Sequence, residues 1–203
     1  MEDFEDLGFH CGVDEVGRGA WSGPVVAAAV RFEKSHSIKE LADSKALSAQ
    51  KRIKLYFEIL DSFTVGVSFS SARTIDDSNI LISSLDVMQK AVKKICKKND
   101  NLYFDGNMLP AAYKSDARAH SVVKGDSKIA SIAAASIVAK VSRDFYMKSL
   151  NIRFPGYGWE NNVGYGVEQH KTAINRLGLN TEHRRSYKPI YNMLCVKKIS
   201  GCF

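Results

Sequence analysis

The stretch "CGVDEVGRGAWSGPVVAAAV", Cys11 to Val30, places two adjacent carboxylates, Asp14 and Glu15, among apolar neighbours. Gly17, Gly19 and Gly23 punctuate the turn that follows, and Val25 to Val30 is an unbroken apolar run. Apolar flanks around a glycine-rich turn predict two buried strands, Phe9–Val16 and Val25–Phe32, joined as a hairpin. Burying charge is expensive unless a counter-charge or a metal meets it. Something positive is therefore expected at Asp14 and Glu15.

Outward from this hairpin, Ser48–Leu60 reads as a helix: Ser48 suits the N-cap, and Ile53, Tyr56, Phe57 and Leu60 form one stripe. Phe63–Phe69 alternates as a third strand. Asn79–Cys96 is a second helix, with Leu81, Leu85, Met88, Val92, Ile95 and Cys96 on its apolar side and the basic "KKICKK" at its C-terminus, where the helix dipole favours cations. "NLYF" (Asn101–Phe104) is a fourth strand ending at Asp105-Gly106, and "HSVVKG" (His120–Gly125) a fifth. Asp126 or Ser127 then caps a helix running to about Leu150, rich in Ala and Ser where it packs on the sheet. Beyond it lie the Gly/aromatic loop "FPGYGWENNVGYG", a short helix near Val167–Leu177 and the basic "EHRRSYK". A hairpin followed by alternating helices and strands is an α/β pattern with a mixed sheet.

The 203 residues, 45% of them hydrophobic, suffice for one well-buried domain. No apolar run reaches transmembrane length, and the acidic start "MEDFEDLGFH" lacks the layout of a signal peptide. Cys11, Cys96, Cys195 and Cys202 are scattered without CxxC spacing, which argues against a zinc site or a disulfide framework and for a reducing cytoplasm. The net charge of +7 lies entirely in the last third: residues 140–203 hold 11 Lys and Arg against 4 Asp and Glu, whereas the rest balances at 18 against 18. A basic region of this kind is either a solvated face or the footprint of a polyanion, with nucleic acid ahead of membrane.

Asp14 and Glu15 within strand one, Asp105 after strand four and Asp126 after strand five share the strand-end placement at which α/β sheets gather ligand sites. Four carboxylates brought together need divalent cations between them, and oxygen-only ligation suits Mg²⁺ or Mn²⁺. Two such ions can activate water and stabilise the leaving oxygen of a phosphodiester. Blander readings exist for Asp126 as an N-cap and for Asp105-Gly106 as a turn. Asp14 and Glu15 carry a geometric difficulty, because successive strand residues point to opposite faces. A dinucleotide fingerprint fails on its GxGxxxG spacing and on the absence of a following helix. A non-catalytic nucleic-acid module leaves the acidic cluster unexplained. The five histidines show no metal-ligand spacing, and Tyr157, Trp159 and Tyr165 read as core aromatics or as stacking surfaces for bases.

The segments "GVDEVGRGAWSGPVVAAAV", "LADSKALSAQKR", "YFDGN", "VVKGDSKIASIAAASIVAKVSRD" and "EHRRSYKP" resemble type 2 ribonuclease H (ribonuclease HII), in that family's order and over nearly the whole chain. The resemblance implies a ribonuclease H-like fold, here a mixed five-stranded sheet flanked by helices with a helical C-terminal extension. It implies a single domain over residues 1–203, with a core of about 9–150 and the extension at about 151–203. The implied substrates are RNA–DNA hybrids and ribonucleotide-containing duplex DNA, cut 5′ to the ribonucleotide to leave 3′-hydroxyl and 5′-phosphate ends. Asp14, Glu15, Asp105 and Asp126 correspond to the catalytic carboxylates, holding two Mg²⁺ or Mn²⁺ ions when substrate is bound. Gly17, Arg18 and Gly19 correspond to the loop that touches the ribose, Tyr165 to a substrate-sensing tyrosine, and Ser44 and Lys45 to backbone-phosphate contacts. Val163 and Val167 depart from the family's Lys and Thr, so one phosphate contact is either lost or supplied by another group, such as Lys171. A cytoplasmic monomer without membrane attachment is expected, and "YNMLCVKKISGCF" spells no clamp-binding peptide. Arg184 and Arg185 are candidates either for phosphate contact or for bracing the C-terminal fold.

Overall fold

The computed structural model of the chain describes residues 8–33 and 48–199, with side chains through residue 195. Ser44, Lys45 and Cys202 lie outside the described residues. Strands β1 (His10–Val16), β2 (Val25–Phe32), β3 (Thr64–Ser70), β4 (Asn101–Asp105) and β5 (Ala119–Val122) form one sheet in the order β3-β2-β1-β4-β5. The expected hairpin is present: β1 runs antiparallel to β2, from His10↔Phe32 to Val16↔Val26. On its other side β1 runs parallel to β4, and β4 parallel to β5, so the sheet is mixed as expected. β1 is the central strand, and apart from His10 and the two carboxylates its residues are apolar or glycine.

The helices are α1 (Ala49–Ser62), α2 (Ala72–Asp77), α3 (Ile80–Ile95), α4 (Ala130–Arg153), α5 (Trp159–Asn162), α6 (Glu168–Leu177) and α7 (Lys188–Ile199). Ser48 caps α1 as its sequence position predicts, its hydroxyl accepting from the Lys51 N–H at 3.3 Å. Asn79 does the same for α3, accepting from the Ile82 N–H at 2.9 Å.

The chain divides into two compact units. The first holds residues 1–16, 26–69 and 84–142, the second residues 17–25, 70–83 and 143–203. In the first, Ala28, Val30 and Phe32 of β2 pack with Leu55 and Ile59 of α1 and with Ala133, Ala134, Ile137, Val138 and Val141 of α4. Small residues let α4 press onto the sheet. A Cβ at Gly12 would overlap the backbone of Ser131 and Ile132 and the Ser131 hydroxyl, so β1 can bring no side chain to its contact with α4 there. In the second unit Met147, Leu150, Tyr157, Trp159, Ala173, Ile174 and Ile190 form the core. Tyr157 and Trp159 stack on each other with centroids 4.9 Å apart, which makes them core aromatics and not surfaces for bases.

Three expectations need correction. α4 begins at Ala130, not at Asp126: Gly125–Ser127 forms a 3₁₀ turn after left-handed Lys124, so Asp126 is no N-cap. α2, α5 and α7 have no counterpart among the elements expected from local pattern, α5 falling within the segment read as a Gly/aromatic loop. Cys11 and Cys96 are joined in a disulfide, with Cα atoms 6.4 Å apart. The pairing follows from topology. The chain leaves α3 and enters β4 beside the first residues of β1, with Asn101 next to His10, so Cys96 returns to Cys11 across 85 residues. The cysteine content therefore no longer speaks for a reducing compartment. Next to the disulfide, the buried Asp100 carboxylate takes two hydrogen bonds from Arg31, Nε to Oδ2 at 2.7 Å and Nη2 to Oδ1 at 3.0 Å. Among the described residues no helix is long and apolar enough to cross a membrane.

Candidate active site

The parallel pairing of β1 with β4 runs to Val13↔Phe104. One step further along both strands brings Asp14 level with Asp105 on one face of the sheet. Asp105 Oδ1 accepts the Gly125 N–H at 2.7 Å, which fixes the turn carrying Asp126 to the end of β4. Glu15 pairs with Ala27 and Asp14 with Ala28, so the two neighbours start from opposite faces. They still interact strongly. Burial, followed by the charges of Glu15 and Asp105, pushes the Asp14 carboxyl up to about 8, against hydrogen bonds from Ser136 and from the Glu15 N–H. Asp14 is only 8% exposed, while Glu15, Asp105 and Asp126 are half-buried.

The donor set fits a hard divalent cation. Among the described residues, the groups that act most on Asp14 are two carboxylates, a hydroxyl and a backbone N–H. Repulsion of that kind is what Mg²⁺ or Mn²⁺ between oxygen ligands relieves. No three of the four carboxylates bring an oxygen each within 4.8 Å of one another. Among the described residues only Cys11, Cys96 and Asp100 do so, and there the sulfurs are bonded together and Asp100 is held by Arg31.

The second unit builds the Gly17–Pro24 loop on two buried arginines. Arg143 donates from Nε to Pro24 O (2.9 Å), from Nη1 to Val163 O (2.8 Å) and from Nη2 to Ser22 O (3.1 Å). Arg184 donates from Nε to Gly23 O (3.0 Å) and from Nη1 to Arg18 O (3.0 Å) and the Tyr187 hydroxyl (2.8 Å). Burial and the charge of Arg184 lower Arg143 to about 10. Gly17 has φ +91°, and a Cβ there would strike the Arg143 guanidinium, so only glycine suits the position. Trp21 and Ser22 N–H groups both donate to Gly164 O, which ties the loop to the segment carrying Tyr165. The half-buried Tyr165 ring lies 5.5 Å from the Arg143 Cζ and faces Gly19. The structure thus brings Gly17, Arg18, Gly19 and Tyr165 together, with Arg18 and Gly19 exposed. Arg184 braces this loop instead of presenting a charge to phosphate. The Arg185 side chain is exposed, and its N–H donates to Asp76 Oδ2 at 2.8 Å.

Tyr165 has a further anchor. The Trp159 indole N–H donates to His170 Nε2 at 3.1 Å, which leaves the His170 proton on Nδ1, where it is donated to Tyr165 O at 3.0 Å. His183 Nε2 stands 3.3 Å from the same His170 nitrogen. Burial, and then the proximity of His170, lowers His183 to about 3, and burial lowers His170 as well. Both rings are neutral in the folded protein, whereas an unfolded chain binds protons at them below about pH 6.5. Stability due to these histidines is therefore complete above that pH and is lost on acidification, for His183 as the pH falls toward about 3, at up to about 1.4 kcal/mol per pH unit. Urea unfolding of the protein and of His183→Asn between pH 7 and pH 4 checks this. The variant is expected to lose stability less steeply on acidification, and parallel curves would contradict the assignment.

Sequence reasoning missed Ser136, Arg143, His170 and His183. Ser136 and Arg143 sit inside "IASIAAASIVAKVSRD", where Ser136 read as packing and Arg143 as part of the basic surface. The two histidines lack the spacing of ligands because they are core groups.

Residues 11–191 match a family model described as Ribonuclease HII. A ribonuclease HII of Ruegeria sp. (strain TM1040) is 45% identical over 183 residues, spanning 90% of this chain and 79% of that protein. Among solved structures, the ribonuclease H2 of Pyrococcus horikoshii OT3 is similar with a TM-score of 0.78 at 23% identity, over 94% of this chain and 99% of that one. The Bst-RNase HIII structure in complex with Mn²⁺ is similar with a TM-score of 0.70 at 22% identity, over 95% and 71% respectively. At those identities the two structures speak for the fold alone.

Proposed function

Because this chain belongs to the ribonuclease HII family, and so is a nuclease with a ribonuclease H-type activity, we propose that it cuts RNA–DNA hybrids in the RNA strand and duplex DNA 5′ to an embedded ribonucleotide. The ends left are 3′-hydroxyl and 5′-phosphate. The observation that carries this reading is the pair Asp14 and Asp105, level on adjacent parallel strands, with Asp14 pushed up to about 8.

Asp14, Glu15, Asp105 and Asp126 would hold two ions, Mg²⁺ or Mn²⁺. Such ions, when bound, lower the barrier to attack of water on phosphorus and to departure of the 3′-oxygen. The protein's own groups do the selecting. Gly17 and Gly19 let main-chain groups reach the 2′-hydroxyl, which both donates and accepts hydrogen bonds. Tyr165, held against Gly19, offers a flat ring to the neighbouring deoxyribose and a phenol to the ribose. A site built to bond a hydroxyl rejects a sugar lacking it, because its own polar groups are then left unpaired. Ser44 and Lys45 would contact the phosphate backbone. The whole chain acts as one catalytic domain and as a monomer, in the cytoplasm, where its DNA substrate is.

The test is cleavage of labelled duplexes: one with a single ribonucleotide, one RNA–DNA hybrid and one all-DNA control, each with Mg²⁺, Mn²⁺ or chelator. The first two are cut only with metal, and the control is not. Cleavage that survives thorough chelation, or equal cutting of the control, sinks the reading. Tyr165→Ala is expected to slow single-ribonucleotide cleavage by about 10- to 100-fold, the worth of a lost stacking surface, and Tyr165→Phe by less. Wild-type rates for Tyr165→Ala on both cleavable substrates would make Tyr165 a core aromatic only.

A further inference from the structure

We propose that Ser136 is a positioning residue for cation binding, its hydroxyl holding the Asp14 carboxylate in the orientation in which it serves as a ligand. This rests on the metal-dependent reading above. The contact itself is the hydrogen bond between the Ser136 side chain and Asp14, and main-chain geometry accounts for it. α4 meets β1 where Gly12 abuts the backbone of Ser131 and Ile132. From Gly12 to Asp14 the strand advances two residues, about 6.6 Å, and both residues share a face. From Ile132 to Ser136 the helix advances one turn, about 6 Å, and again both share a face. The close approach at one end therefore sets the hydroxyl level with the carboxylate at the other.

Two further observations fit. Every other residue of α4 from 131 to 139 is buried, and Ser136 alone is half-buried. Alanine favours a helix more than serine does, so packing alone gives no reason for a hydroxyl here. The Glu15 N–H already donates to Asp14 Oδ1 at 2.7 Å. A second donor from α4 stops the carboxylate rotating and leaves its remaining lone pairs for a cation. Partners of this kind, bonded to a ligand and not to the metal, set the ligand's orientation and commonly influence affinity.

The test uses the full chain without substrate. Mn²⁺ alone is titrated calorimetrically into the parent, Ser136→Ala and Ser136→Thr proteins, and the melting temperature of each is measured in chelator. Ser136→Ala is expected to weaken Mn²⁺ binding by about 10-fold or more while melting no lower than the parent. Ser136→Thr, which keeps the hydroxyl, is expected to bind nearly as the parent does. In cleavage assays the Ser136→Ala deficit should shrink as Mn²⁺ is raised. Parent-like affinity in Ser136→Ala overturns the proposal, as does an equal loss in Ser136→Thr, which would point to packing. A parent protein that takes up no Mn²⁺ with or without a cleavable duplex overturns the carboxylate reading along with it.

Discussion

Asp105→Asn is expected to lower turnover by at least about 10³-fold on every cleavable duplex while leaving the protein folded. The amide keeps an oxygen in the place of Oδ1, so the Gly125 N–H that bonds there at 2.7 Å retains its acceptor and the turn carrying Asp126 stays attached. Only the charge is lost. That charge is also one of the causes raising Asp14. A carboxyl whose folded value lies near 8, against an unfolded value near 3.8, binds more protons folded than unfolded across that interval. Stability from this group is thus full at low pH and erodes as pH rises through the interval. Removing the Asp105 charge lessens the erosion, so metal-free Asp105→Asn should melt at or above the parent temperature at pH 8. Turnover and calorimetric melting in chelator test both halves together. Near-normal cleavage by a folded variant refutes the role given to Asp105, and a large fall in melting temperature would show that the substitution had damaged the fold.

Arg143→Met is expected to cost about 3–5 kcal/mol of stability, because a shape-similar side chain leaves three backbone carbonyls, Ser22 O, Pro24 O and Val163 O, without their donor. Arg143→Lys recovers little, since one ammonium cannot reach three acceptors spread in a fork. Cleavage at a single ribonucleotide should fall more than the stability loss explains, because the Gly17–Pro24 loop loses its support. Arg185→Ala provides the contrast: its side chain is exposed, and the fold uses only its main-chain N–H, so stability should be nearly unchanged. Urea midpoints of the three variants decide the matter. An Arg143→Met protein with the parent midpoint would mean that the carbonyls find other donors and that the loop stands without this brace.

The strands were legible because their pattern is local. Alternation marks Thr64–Ser70, an apolar run marks Val25–Phe32, and the glycines between β1 and β2 announce a hairpin. Asp14 and Glu15 were legible because a central strand seldom tolerates charge unless a ligand meets it, and Asp105 because it ends a strand before a glycine. What was hidden depends on partners distant in the chain. Nothing near Cys11 announces Cys96. A basic residue is ordinarily solvated, so nothing near Arg143 or Arg184 indicates that each spends two hydrogen bonds on carbonyls more than a hundred residues away. The 3₁₀ turn at Gly125–Ser127 was misread for the opposite reason: an acidic residue before an alanine-rich helix imitates a cap, and the three residues that intervene look helical.

The order in which the second unit is stitched together bears on its biosynthesis. That unit draws on residues 17–25, 70–83 and 143–203, so the chain passes between the two units five times. Gly23 O and Arg18 O wait for Arg184, which is 161 and 166 residues further on. Chains generally fold in units as they emerge during synthesis, N-terminal segments first. Here the Gly17–Pro24 loop is made among the first residues, yet it lacks the first of its two braces until residue 143 and the second until residue 184 has been translated. A polypeptide stalled on the ribosome short of that point would carry the carboxylates but not the fully braced Gly17–Pro24 loop. Neither unit can be excised as a continuous fragment.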